Sequence, residues 1–390
     1  MATSLSEQLK RLALPQTALL QRDKKKPSLL FEPKEAAGLK RETVYQIGLD
    51  GLEELITKDQ SFEQFKNTLF HISSKKFERA VETAESNKKL DKVIRKFLLQ
   101  LSPYFLLNCS HKALEWLINR YYIHEYNREE LLMTIMPYHE SNIFVRVIQL
   151  MKFKDQNDSW FFLKSLQKSG VHLTKQSLLT HAASDVYFLK FVGKFITLLI
   201  KQFEKPSLLT VAFNFYCAVY AGAIEYSAEL NEAQITQMLP ALLRGLNSDI
   251  PDYCAASYII LGRLVLKTPL TDVILNKFVE KVADAKVENL KTETVLVLLV
   301  LYQSQPHYNG VPEEACGSLV GKEWLAKVLQ ELSKEKYHVA PFLKALVKGC
   351  VYGGVKMDQE GHREFLKKLL AAVKFDNEFV ESFLMYVDKI

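Results

Sequence analysis

The sequence predicts an all-α protein, an α-solenoid of stacked antiparallel helix pairs. Three observations carry that reading. Apolar residues recur at helical spacing along nearly the whole chain, and strict alternation over strand lengths is almost absent. Gly and Pro number only 15 and 12 in 390 residues, fewer than the turns of a sheet-rich chain usually require. A short motif also repeats: Leu101-Ser102-Pro103-Tyr104 and Met136-Pro137-Tyr138 lie 34 residues apart, counted from Pro103 to Pro137, within the period range of helical repeats.

The elements follow in order. Residues 1–60 read as an N-terminal helical segment carrying the basic run Lys24-Lys25-Lys26. Ser61 and Gln64 form a capping-box pattern before Phe62, Phe65, Leu69 and Ile72, which predicts a helix over 61–73. Leu90, Val93, Ile94, Phe97, Leu98 and Leu101 form one apolar stripe of a helix over 88–101. A helix over 110–122 follows, and Asn127 with Glu130 repeats the capping signal for a helix over 128–136. Further helices are predicted over 142–152, 185–203, 207–226, 232–246, 251–267, 271–284 and 289–304. Short polar breaks between them make successive helices antiparallel.

The region 61–305 is thus a run of helical repeats, followed by a loop at 306–322 that collects Pro306, Asn309, Gly310, Pro312, Gly317 and Gly321. Residues 323–390 read as further helical repeats, with a second loop at 351–361. The chain closes on apolar Tyr386-Val387 and Ile390 without a polar capping element, as expected of a piece of a longer solenoid.

Composition narrows the class. With 48% hydrophobic and 25% charged residues the chain has the make-up of a soluble globular protein, not of a disordered or fibrous one. The most apolar run, Leu208 to Ile224, contains Thr210 and Asn214 and is shorter than the roughly 20 residues of a bilayer span, so a buried helix is expected there. No apolar stretch precedes a cleavage site near Met1, and Glu7 and Asp23 interrupt a transit-peptide pattern. The five cysteines are widely spread with no C-x-x-C pair, which points to a reducing compartment.

Catalytic and cofactor signatures are missing. There is no phosphate-cradling G-x-x-x-x-G-K-[ST] and no G-x-S-x-G elbow. His124-Glu125 and His139-Glu140 each begin like a zinc motif, but the second histidine is replaced by Arg128 and Ile143. No enzyme activity, cofactor, metal or small-molecule substrate is therefore expected.

Charge is more informative. Lys75, Lys76, Arg79, Lys88, Lys89, Lys92, Arg95 and Lys96 concentrate the net positive charge in the first hundred residues. Such a cluster can neutralise nucleic-acid phosphates. An ordinary solvated helix face is the competing reading, because Glu78, Glu82, Glu85 and Asp91 are interleaved. Lys88, Lys92 and Lys96 fall at i, i+4 and i+8, along one helix face. Tyr121, Tyr122, Tyr126 and Tyr138 could stack on bases, although aromatics at helical spacing are usually core.

Met238-Leu239-Pro240-Ala241-Leu242-Leu243, the turn Asn247-Ser248-Asp249 and then Tyr253-Cys254-Ala255-Ala256 resemble a HEAT repeat, with Cys254 where the second helix usually carries arginine. Met136-Pro137, Ser141-Asn142 and Val145-Arg146 resemble a second copy with that arginine in place. Pro137 is expected to end one helix, Tyr138 and His139 to lie in the turn before Glu140, and Arg146 to start the next helix facing a neighbouring repeat.

Together with Arg11-Leu12-Ala13-Leu14-Pro15, Gly51-Leu52-Glu53-Glu54-Leu55 and Leu114-Glu115-Trp116-Leu117, the run Pro137-Tyr138-His139-Glu140 resembles the U3 small nucleolar RNA-associated protein 10 family. The match is dense over 1–150 and 234–265 and thins after about residue 310. The resemblance implies a nuclear, nucleolar scaffold of the small-subunit processome, with WD-repeat and other processome subunits as partners. It further implies engagement of the 5′ external transcribed spacer of pre-rRNA, support of rRNA transcription and 18S rRNA maturation, and no membrane. A HEAT-repeat adaptor of transport or coat assembly is the alternative that periodicity alone leaves open.

Overall fold

A computed structural model describes residues 26–153, 157–356, 360–372 and 380, and among them every regular element is helical. The contacts divide the chain into two compact units, Met1–His172 and Leu173–Ile390. Lys24, Lys25, the Arg11 to Pro15 motif and the closing segment 386–390 lie outside the described residues.

In the first unit, α1 (Pro33–Gly38) and α2 (Arg41–Lys58) precede α3 (Ala84–Leu101), α4 (Asn108–Tyr121), α5 (Ile123–Tyr126), α6 (Arg128–Ile135), α7 (Asn142–Leu150) and α8 (Lys164–Ser169). Helix α2 packs on α4 and α3 packs on α6, so helices alternate between two layers. The approach of α2 to α4 is very close, because Gly48 and Gly51 face it. A Cβ on Gly51 would lie 2.6 Å from the Cys109 carbonyl, and one on Gly48 would overlap Trp116.

The predicted α-helix over 61–73 is not formed. Residues Gln60–Phe65 and Ile72–Lys76 make 3-10 turns instead, and the N-terminal cap is Asp59, which accepts from the Ser61 N–H at 2.9 Å. Gln64 bonds the Ser61 carbonyl rather than closing a capping box. A spacing of three suits a 3-10 turn as well as an α-helix. Tertiary contact decides: Phe62 and Phe65 both pack edge-on to Phe97, with ring centroids 5.9 and 5.0 Å away.

In the second unit, α9 (Lys175–Ser184), α10 (Val186–Gln202), α11 (Thr210–Tyr226), α12 (Glu232–Leu246), α13 (Pro251–Lys267), α14 (Asp272–Ala283) and α15 (Lys291–Ser304) form the regular array. Helices α9, α11, α13 and α15 pack successively in one layer, and α10, α12 and α14 in the other. This next-but-one packing is that of an α-solenoid. Helix α9 has no counterpart among the helices that the sequence predicts, which resume only at 185; Thr174 caps it and Asp185 caps α10.

The pair α12–α13 is the repeat that the sequence marks. Asn231 and Gln234 close a true capping box, Pro240 sits inside α12, and Pro251 opens α13. Cys254, at the usual arginine position, is fully buried with its Sγ 3.9 Å from the Leu246 carbonyl oxygen. Gly245 lets Ser257 and Tyr253 approach α12 closely.

The apolar stretch is longer than its sequence span suggests. A 3-10 turn at Pro206–Leu209 runs into α11, and the 21 residues Pro206–Tyr226 are long and apolar enough to cross a membrane by length and composition. Its surroundings are those of a core helix. It packs between α9 and α13, with Tyr216 and Tyr220 both 0% exposed and Tyr220 Oη donating to the Leu189 carbonyl at 3.0 Å.

The loop expected over 306–322 is interrupted by α16 (Glu313–Val320), which buries Ala315, Cys316 and Leu319 despite Gly317 and Gly321. Beyond it lie α17 (Leu325–Lys334), α18 (Ala340–Val351), a π turn at Tyr352–Lys356 and α19 (Glu360–Ala372).

Candidate nucleic-acid and partner interface

Helix α3 sorts the predicted basic residues. Thr83 caps it, accepting from the Ser86 N–H at 3.2 Å, and Ile94, Phe97, Leu98 and Leu101 are fully buried along one side. Lys88, Lys89, Lys92, Arg95 and Lys96 all lie outside that buried side. Lys89 pairs with Glu85 at 3.2 Å, one turn away on the same helix. Arg95 is held against Glu130 of α6, its Nε and terminal nitrogen both donating to one carboxylate oxygen at 3.1 and 2.7 Å. Lys88, Lys92 and Lys96 have no ion-pair partner among the described residues. They therefore stand as a row of uncompensated cations on the solvent side of α3.

Lys75 does not belong to that row. Its ammonium bonds Glu42 at 2.6 Å and lies 4.1 Å above the Tyr45 ring, which fixes it on α2. Lys76 beside it is not buried. Arg79 is not a surface cation at all. It is 8% exposed, bonds the Tyr121 carbonyl at 3.2 Å and the Asn127 amide oxygen at 2.9 Å, and pairs with Asp91. The expected cap of α6 by Asn127 does not form, because its side chain is committed to Arg79 and Asp91 instead. Leaving a buried guanidinium unpaired is costly, so Asn127 serves Arg79 rather than the end of α6.

The tyrosines divide as well. Tyr121 is core, with its hydroxyl on the Leu69 carbonyl at 2.8 Å. Tyr126 and Tyr122 are 58% and 43% exposed, and Tyr122 takes the left-handed backbone, φ 51°, that reverses the chain after α4.

The motif around Pro137 forms a 3-10 turn, Met136–Tyr138, after α6. Tyr138 Oη donates to the Ser102 carbonyl at 2.6 Å and its ring packs on Phe105. The earlier copy behaves alike: Tyr104 Oη reaches Asp59 at 3.3 Å. Burial works to raise the Asp59 pKa, but hydrogen bonds from Ser61, Gln100 and Tyr104 outweigh it and hold the carboxyl below its ordinary value. His139 is buried, whereas Pro137 is half-buried and Glu140 exposed. Arg146 lies in the second turn of α7, not at its start, and it grips the N-terminal segment rather than a neighbouring repeat. Its guanidinium donates to the Leu29 and Phe31 carbonyls at 3.4 and 2.9 Å and lies 3.6 Å from Glu32.

Buried Glu115 of α4 holds the same segment. It accepts from Ser28 Oγ at 2.8 Å and from the Leu29 and Leu30 N–H groups at 2.7 and 3.1 Å. Glu115 belongs to the Leu114 to Leu117 motif, yet the sequence hides its role because its partners are 85 or more residues away.

A surface cleft of about 490 Å³ is bordered by His124, Glu125, Arg128, Glu130 and Lys152. Its charges are largely spent on one another, with Lys152 on Glu125 at 2.5 Å and Arg128 forked onto Asp158 at 2.6 and 2.9 Å. Among the described residues no group of three or more His, Cys, Asp or Glu side chains is placed to hold a metal ion.

Two-layer stacking of successive helix pairs defines a helical-repeat protein. Comparison with known proteins makes this specific. Residues 234–350 match the family described as U3 small nucleolar RNA-associated protein 10. The Drosophila melanogaster HEAT repeat-containing protein 1 homolog is 38% identical over 382 residues, covering 96% of this chain and 18% of the relative. Homo sapiens HEAT repeat-containing protein 1 is 37% identical over 402 residues, with the same two shares of 96% and 18%. U3 small nucleolar RNA-associated protein 10 of Aspergillus oryzae is 29% identical, covering 94% of this chain and 21% of the relative. The chain belongs to the U3 small nucleolar RNA-associated protein 10 family. It spans about a fifth of the length of the curated relatives it matches.

Proposed function

We propose that the chain works in ribosome biogenesis in the nucleolus, as a non-enzymatic scaffold of the small-subunit processome that supports pre-rRNA transcription and 18S rRNA maturation. Protein partners, WD-repeat subunits among them, would dock on the surfaces of the stacked helix pairs, and pre-rRNA of the 5′ external transcribed spacer would lie on α3. The observation that carries the RNA part is the row Lys88, Lys92 and Lys96, solvent-facing and unpaired while Lys75, Lys89 and Arg95 are spent within the protein. A row of three cations tracks a phosphate backbone without reading bases, so binding is weak, non-specific and steeply salt-dependent. Family membership supports the ribosome-biogenesis part.

The test is a filter-binding titration with a spacer-derived RNA against the parent and a variant carrying Lys88→Glu, Lys92→Glu and Lys96→Glu. Loss of binding at low salt with an unchanged far-ultraviolet spectrum is the expected result. Equal binding by the two proteins would show that the face is merely solvated. Crosslinking of the full-length protein in cells, read out for RNA and for peptides, tests the scaffold role; absence of pre-rRNA and processome subunits there would favour a general adaptor.

A further inference from the structure

Arg120, in the last turn of α4, is 6% exposed, and its Nε and Nη2 have no hydrogen-bond partner among the described residues. These two atoms form one edge of the guanidinium, the fork that takes two oxygens of one anion side by side. The carboxylate that Arg120 meets is Glu78, whose Oε1 lies 3.6 Å from Nη2, too far for a hydrogen bond. Arg41, at the start of α2, lies 3.6 Å from the same oxygen and donates to the Lys75 carbonyl at 3.0 Å. Glu42, next to Arg41 on α2, is held by Lys75. Two guanidiniums therefore share one carboxylate, and neither bonds it closely. Burial and the Arg41 charge lower the Arg120 pKa, and Glu78 offsets them only in part. The side chains of Arg41 and Glu78 are more than half exposed, so an anion that displaces Glu78 meets Arg120 from the solvent side.

We propose that Arg41 and Arg120 form a binding site for a phosphate monoester, free or on a phosphorylated side chain of a protein partner, which takes the place of Glu78. Charge and shape both argue for a monoester. It brings a charge of about −1.5 to −2 at pH 7 to two guanidiniums, whereas the Glu78 carboxylate and an RNA phosphodiester each bring a single negative charge. Two of its terminal oxygens fit the Nε–Nη2 edge of Arg120 and leave the third for Arg41. Glu78 is then a tethered competitor that occupies the site until the phosphate displaces it. The site uses none of Lys88, Lys92 and Lys96, and the inference does not depend on the RNA reading.

The experiment titrates the 390-residue chain by isothermal calorimetry with inorganic phosphate and with a glycine-flanked phosphoserine peptide, the unphosphorylated peptide serving as control. Saturable binding of a phosphate probe and none of the control peptide is expected, and tighter binding of the phosphopeptide would identify a phosphorylated protein as the source. Arg41→Gln should weaken binding about tenfold, the worth of one charge-assisted hydrogen bond. Glu78→Gln should tighten it by about the same factor, because the competing carboxylate is gone. A merely structural role for the three residues predicts no such gain. The proposal is overturned if neither phosphate probe binds saturably, or if Glu78→Gln binds no tighter than the parent. It is also overturned if an RNA with a 5′-hydroxyl competes as well as one with a 5′-phosphate. Should either variant fail to fold, the parent titrations and the RNA competition decide alone.

Discussion

Tyr138 donates its hydroxyl to the Ser102 carbonyl at 2.6 Å, across a sequence separation of 36 residues, and so joins the 3-10 turn after α6 to the 3-10 turn after α3. Burial pushes the Tyr138 pKa up to about 12, so the group remains a donor throughout the physiological range. The bond and the Phe105 contact make Tyr138 a stacking residue of the repeat. Tyr138→Phe should cost about 1 kcal/mol, the net value of one hydrogen bond. Tyr138→Ala should cost about 2–3 kcal/mol because ring packing is lost as well. Urea denaturation followed by circular dichroism measures both. An unchanged midpoint for the alanine variant, combined with lost partner capture, would assign the residue to binding instead.

The Ser28–Phe31 segment is held by two side chains, Glu115 and Arg146. Glu115→Ala leaves the Ser28 hydroxyl and two backbone donors without their acceptor, and a loss of about 2 kcal/mol is expected. Arg146→Ala should release the same segment. The double variant should therefore lose less than the two single losses added together, because residues sharing one element couple. Hydrogen exchange at the Leu29 and Leu30 amides is the direct readout. Slow exchange persisting in Glu115→Ala would contradict the clamp.

His124 provides a pH test. It is 3% exposed, its Nδ1 has no partner, and burial lowers its pKa to about 4, with Glu125 opposing and Lys152 reinforcing the shift. The unfolded chain takes up a proton near pH 6.5 while the folded chain does not. The stabilisation from a neutral His124 is thus complete above about pH 6.5 and is lost as pH falls through about 4, a change of roughly 3 kcal/mol. His111, also lowered by burial, contributes in the same sense. His124→Phe keeps a buried ring that cannot ionise, so its stability should fall less between pH 7 and pH 4.5 than that of the parent. Parallel pH profiles for the two proteins would refute this assignment.

Two glycines on helices should respond to alanine with opposite signs. At Gly51 the new Cβ meets the α4 backbone, and Gly51→Ala should destabilise by about 1–3 kcal/mol. At Gly262 on α13 nothing lies within 4 Å, and Gly262→Ala should stabilise by about 0.5–1 kcal/mol through helix propensity. Thermal melts of both variants check the sign. Equal destabilisation at the two sites would mean that α13 is covered where it is open here.

Local information is enough for the helices whose apolar stripes are regular. The span 251–267 agrees with α13 to the residue, and the helical spacing of Tyr253, Ala256, Ile260 and Leu264 explains why. Low Gly and Pro content and the recurring Pro-Tyr turn settle the all-α class in the same way, through properties of short stretches of chain. Only the tertiary structure decided the rest. Phe62 and Phe65 have a spacing that two kinds of helix satisfy, and Phe97 selects the 3-10 form. Arg79 reads as one more cation of a basic cluster until Asp91, Asn127 and the Tyr121 carbonyl enclose it, and its removal from the surface leaves Lys88, Lys92 and Lys96 as the open face. Cys316 and Gly349 stand far apart in the sequence, yet packed helices bring them together, and a Cβ built on Gly349 would lie 2.9 Å from Cys316 Sγ. Helical periodicity is a property of neighbours along the chain and is written locally. Which charge is spent and which side chain turns inward depend on groups dozens of residues apart, and packing alone makes them neighbours.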